Sequence, residues 1–125
     1  MRIKKTSQYI QGGAILPSYF TNEIDTGMKW IDGSNIYRKV IEFGSLPDTT
    51  TKSVNHNISN LGQAITITGI ATATTGNRLP LPFSHETNMN QCIRLYCNAT
   101  QVIIGTGQDR SGYIGIVIME YTKSS

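Results

Sequence analysis

The chain predicts an all-β fold, an antiparallel β-sandwich of about seven to eight strands, jelly-roll-like in form. Three observations carry this prediction. Short runs rich in Ile, Val, Thr and Tyr recur at regular spacing with turn residues between them, and no stretch shows a helical period. The run from Tyr113 to Thr122 is apolar on both faces, as a central strand must be. The vocabulary is also poor in charge and rich in β-branched residues, whose stiff χ1 suits a pleated surface. A chain of 125 residues fits one domain, which at this size buries about two-thirds of the surface that the unfolded chain exposes.

Residues 1–25 have weak periodicity, a Gly12-Gly13 pair, Pro17 and the neighbouring aromatics Tyr19 and Phe20. They read as an N-terminal arm or attachment segment with one short strand, ahead of a sandwich domain over 26–125. A β-hairpin opens that domain. Asp32-Gly33 is the residue pair of a two-residue type I′ turn, because Gly supplies a positive φ without steric cost. Trp30, just before the turn, is expected in the core.

The second hairpin strand, 36–43, sets Tyr37, Lys39, Ile41 and Phe43 on one face and Ile36, Arg38, Val40 and Glu42 on the other. Neither face is cleanly polar, so both are expected to be covered. Arg38 on such a strand implies a buried or intersubunit ion pair, with Glu42 or with a carboxylate of a neighbouring chain. Gly44 to Asp48 ends the strand at Pro47, and a short strand follows over 52–58.

The Asn60-Leu61-Gly62 turn leads into a long half-buried strand, 64–75, with Gly69 as a bulge or a close backbone approach. Residues 76–90 contain two prolines and no usable period, which makes them the longest loop and a functional candidate. Strands over 91–98, 101–106 and 113–122 close the chain. Cys92 and Cys97 lie five apart in one strand, on opposite faces and about 16 Å apart, too far for a disulfide.

The net charge of +3 comes from scattered basic residues, with only Arg2, Lys4 and Lys5 clustered, so nucleic acid is not the expected partner. No apolar run reaches membrane length, and no membrane insertion is expected. His56 and His85 lack metal-ligand spacing, and a His-His-carboxylate site with Asp109 or Glu86 would have to be assembled in space; no metal or other cofactor is expected. No pair of carboxylates, nucleophile elbow or phosphate loop marks a catalytic site, and none is assigned. Binding is better supported. Arg78, Phe83, His85, Asn88 and Asn90, with Gln108, Asp109, Arg110 and Tyr113, combine flat apolar faces with planar polar groups, the chemistry of a glycan site.

Several short motifs occur in a fixed order. They are Ser18-Tyr19-Phe20-Thr21-Asn22-Glu23, Trp30-Ile31-Asp32-Gly33, Ile36-Tyr37-Arg38-Lys39, Gly44-Ser45-Leu46-Pro47, Ser53-Val54-Asn55-His56-Asn57-Ile58 and a closing Glu120-Tyr121-Thr122-Lys123. Together they resemble a module of tailed-phage and prophage structural proteins, tail fibres and head appendages that bind receptors. Ser34-Asn35 stands where Lys-Pro is usual, and Asp48 where Asn is usual; both are turn or loop positions.

The resemblance implies a virion protein, assembled in the bacterial cytoplasm, that forms a homotrimer and contacts a host-surface polysaccharide. The N-terminal segment would then join other virion proteins, and the chain would be a small stand-alone protein or part of a longer fibre. Trimer formation fits the two-faced last strand, one face in the sandwich and the other against a neighbour. The alternatives are a capsid or tail decoration or connector protein with a structural role only, and a surface-glycan depolymerase.

Overall fold

Two antiparallel sheets face one another in the computed structural model, which describes residues 9–11 and 14–124. Strands β1 (Tyr9–Gln11) and β2 (Ala14–Leu16) form a small hairpin of their own. The sandwich comprises β3 (Ile24–Lys29), β4 (Asn35–Ser45), β5 (Thr51–Asn55), β6 (Leu61–Ala73), β7 (Arg78–Leu81), β8 (Ile93–Cys97), β9 (Gln101–Thr106) and β10 (Tyr113–Lys123). The large sheet runs β3-β4-β10-β6-β7 and the small one β5-β9-β8. The chain is thus an antiparallel β-sandwich, as its alternation predicts.

Period-two patterning decides which side of each strand is buried. Strand β10 lies at the centre of the large sheet, and its Val117, Met119 and Tyr121 have no exposed surface. They meet Ile41, Phe43 and Leu46 from the β4 side, Ala71 and Leu81 from β6 and β7, and Ile93, Val102 and Ile104 from the small sheet. Each of the larger aliphatic and aromatic side chains among these contributes about 1.5–3 kcal/mol by burial. The opposite face of β10 stays largely open, with Ile114 at 50% and Ile116 at 40% exposure.

Gly69 makes the close approach expected of it: a Cβ there would lie 2.3 Å from the Ile116 carbonyl oxygen. Both cysteines are free thiols; Cys97 packs against the core, and burial raises its pKa.

Four sequence expectations are corrected. The hairpin tip is a three-residue loop, Ile31-Asp32-Gly33, closed by Trp30 N–H to Ser34 C=O at 2.8 Å and Gly33 N–H to Trp30 C=O at 2.9 Å. Only Gly33, at φ +87°, is left-handed, so Asp32 instead accepts the Ser34 amide at 2.9 Å. Hydrogen bonds from Ser34 hold the Asp32 carboxyl below the usual range. Trp30 is half-buried beside this turn and is not part of the main core cluster.

The expected long loop contains a strand, β7, whose Pro80 sits opposite Ile70 at the edge of the large sheet, where a missing N–H is tolerated. The sandwich also begins before residue 26. Ser18 C=O accepts from Arg38 at 3.1 Å, Phe20 C=O accepts the Val40 amide at 2.9 Å, and β3 starts at Ile24. The expected arm is therefore partly body, while residues 1–8, 12 and 13 lie outside the described residues. At the free edge of the large sheet, β3 breaks register between Asp25 and Lys29, around Gly27 at φ +79°.

Candidate functional site

Strand directions gather four connections at one end of the sandwich: Leu46–Thr50, Thr74–Asn77, Pro82–Cys92 and Gly107–Gly112. They are joined by backbone hydrogen bonds, Thr49 N–H to Gln108 C=O, Leu46 N–H to Tyr113 C=O and Thr74 N–H to Gly112 C=O. Thr106 Oγ1 donates to Pro47 C=O at 3.0 Å and accepts the Thr49 amide at 3.1 Å. Thr49 takes φ +56°, a conformation β-branched residues rarely adopt, and these contacts hold it there.

Arg110 is the tie among these loops and is not a surface group. It is 7% exposed, its amide donates to Pro47 C=O at 3.1 Å, and Nη2 donates to Gln91 C=O at 2.6 Å. Its guanidinium carbon lies 5.7 Å from the Phe83 ring and 5.6 Å from the Tyr113 ring, within cation–π range, while Nε is buried without a partner. Phe83 and Tyr113 are themselves half-buried against the core. Three of the expected glycan residues are therefore scaffold, joined to each other.

The remaining candidates divide by location. Asn88 is exposed, and its Oδ1 accepts the Asn90 amide at 2.9 Å, capping a single 3-10 turn at Met89–Gln91. His85 is half-buried, with Nδ1 accepting the Thr87 and Asn88 amides at 3.3 and 3.1 Å. Cys92 Sγ accepts the His85 amide at 3.3 Å, closing the base of this loop. Asp109 is exposed and accepts the Ser111 amide at 2.8 Å; hydrogen bonds from Ser111 depress its pKa. Gln108 is half-buried beside it.

Arg78 stands apart from this group. It begins β7 on the outer face of the large sheet, opposite Thr72, and among the described residues its side chain makes one hydrogen bond, to Gly76 C=O at 3.2 Å. Sequence reading missed Met89, 86% exposed at the tip of the 82–92 loop; an isolated Met in a polar loop carries no period to reveal it. Among the described residues, no group of three His, Cys, Asp or Glu is placed to hold a metal ion.

The hairpin candidates act structurally. Arg38 Nε and Nη2 donate to Glu120 Oε2 at 2.9 and 2.7 Å, and the guanidinium lies 4.3 Å from the Tyr19 ring centre. The ion pair anticipated for Arg38 is thus within the chain, with Glu120 on the adjacent strand and not with Glu42. Tyr37 stacks on Tyr121 at 6.2 Å, and the Tyr121 hydroxyl donates to Glu23 Oε2 at 2.6 Å. Lys123 Nζ completes the group, 2.8 Å from Glu23 Oε1.

At the far end, His56 is 1% exposed and fully used. Its Nδ1 accepts the Ile58 amide at 3.1 Å, which leaves Nε2 to donate to Asn98 C=O at 3.1 Å. This is a core histidine, without a free ring nitrogen for a ligand.

No family model, curated protein or solved structure matches the chain.

Proposed function

We propose that this chain is a structural domain of a bacteriophage virion, a fibre or appendage module that assembles as a homotrimer and contacts a host-surface glycan through its loop end. The observation that carries the glycan contact is the locked set of loops around Arg110. A rigid base holds Asn88, Asp109 and Met89 exposed, with Gln108 and His85 half-buried beside them, without a large ordering cost on binding. The ordered motifs from Tyr19 to Lys123 support the virion reading. Glu120 and Lys123, in the closing motif, pair with Arg38 and Glu23 from the earlier ones, so the motif set coincides with interactions that hold the sandwich together.

Binding of the purified protein to arrayed bacterial surface polysaccharides tests this. Gln108→Ala and Asp109→Asn, which keep the loop backbone, should each weaken binding several-fold with an unchanged melting temperature. Binding that is insensitive to both would remove the loop end as the site. Absence of binding to any glycan or host cell, together with tight association with virion proteins, would favour the decoration or connector reading, which the open apolar face of β10 also suits.

A further inference from the structure

The outer face of the large sheet is ordered in cross-strand rows, because residues directly opposite in an antiparallel ladder share a face. One row reads Glu42, Ile116, Ile70, Pro80 across β4, β10, β6 and β7. The next reads Ser45, Ile114, Thr72, Arg78, and on the other side lie Val40, Ile118 and Thr68. Ile70 and Ile116 are each 40% exposed and Ile114 is 50%, so adjacent rows form one apolar surface. Tyr19 and Phe20 wall its β4 side, making a shallow groove with Val40, Ile116 and Ile118.

Charge on this face flanks the apolar rows on both sides, on β4, just inside the edge strand β3, and on the edge strand β7. Among the described residues, Glu42, on β4, is exposed and forms no ion pair, and Arg78, on β7, has only its carbonyl contact. They are three strands apart, about 14 Å at ordinary strand spacing, beyond reach of one another. The other charges of this face, Arg38 and Glu120, satisfy each other. A surface with an apolar centre, an unpaired carboxylate on one side and an unpaired guanidinium on the other is complementary to a second copy of itself.

We infer that copies of this chain meet on this face, the Ile70–Ile116 row of one against that of the next, with Glu42 of one copy paired to Arg78 of its neighbour. The inference rests on the homotrimer reading and names the surface that would build it. Opposite charges at opposite margins suit an assembly in which one margin of each copy meets the other margin of the next. Rim charges of this kind set register and partner choice, while the apolar centre supplies most of the affinity.

Sedimentation and light scattering of the full chain test it. The wild type should sediment as an oligomer of the 13.8 kDa chain, and Ile116→Glu should yield folded monomer by circular dichroism. Glu42→Arg and Arg78→Glu should each weaken association about tenfold, a typical cost of one unlike-to-like charge change, and the double exchange should restore most of it. A wild-type monomer at 100 µM (a concentration of the order used for weak interfaces) would overturn both the homotrimer reading and this surface. An oligomer indifferent to Ile116→Glu, or a double exchange no better than the single ones, would overturn the surface alone.

Discussion

Lys39 and Lys52 cross the open side of the sandwich in opposite directions. Lys39 reaches from the large sheet to the carbonyl oxygens of His56 and Asn57, at 2.8 and 3.3 Å. Lys52 reaches from the small sheet back to Ser45 C=O at 2.6 Å, with its ammonium 5.0 Å from the Phe43 ring centre. The two ammonium groups bridge the sheets where no strand pairing joins them. Lys39→Met and Lys52→Met, which keep the stems, should each lower stability by about 1–2 kcal/mol, the ordinary worth of a charge-assisted hydrogen bond. Because their partners differ, the double variant should be near-additive in urea denaturation, and a combined loss below about 0.5 kcal/mol would show that they do not brace the fold.

Tyr121 makes the fold sensitive to alkali. Burial first, then the hydrogen bond to Glu23 and the charges of Glu23 and Tyr37, push its phenol well above the ordinary tyrosine value. A folded-state pKa raised above the unfolded one contributes stability that is intact below about pH 10 and falls as pH rises beyond it. Urea midpoints should therefore decline above pH 10. Tyr121→Phe should flatten that decline while costing about 1–2 kcal/mol at neutral pH, where the hydroxyl-to-carboxylate bond is lost. An identical alkaline slope in the variant would contradict the assignment.

Gly69 is fixed by backbone proximity, not by backbone dihedral. A methyl group there would meet Ile116 backbone oxygen at 2.3 Å, and neither strand can yield without breaking the β6–β10 ladder. Gly69→Ala should destabilise the protein by about 2–3 kcal/mol, an overpacking cost at its upper end. Gly112→Ala, where a Cβ would meet nothing within 4 Å, is the control and should leave the melting temperature unchanged or slightly raised.

Arg110 should govern loop order more than ligand contact. Arg110→Met removes the bond to Gln91 C=O and should cost about 2 kcal/mol. Amide exchange should quicken over residues 84–92 while β10 stays protected, since local opening follows the contacts that are lost. Uniform acceleration across the sandwich would mean that Arg110 supports the core and not this loop end.

What the sequence reveals follows the range of the interactions involved. The Asp32-Gly33 hairpin, the 101–106 strand and the two-faced last strand were legible because a turn residue or a period of two encodes each locally. Strand β7 was not, because Pro80 reads as a loop residue until the neighbouring β6 shows it to be an edge position. Arg110 reads as a solvated loop cation, and only the approach of Gln91 and two rings buries it. The seating of residues 18–23 likewise depends on partners far along the chain, Arg38 for Ser18 and Tyr121 for Glu23. Trp30 is half-buried because the turn takes one more residue than its Asp-Gly pair implies.

Pro80 and the broken register of β3 also limit what a crowd of these molecules can become. Pro80 offers no N–H along one margin of the large sheet, and at the other margin the ladder is interrupted around Gly27 beside a lysine, Lys29. An incoming strand meets an interrupted template at each border of the large sheet, which disfavours growth there by strand addition into an amyloid-like ribbon.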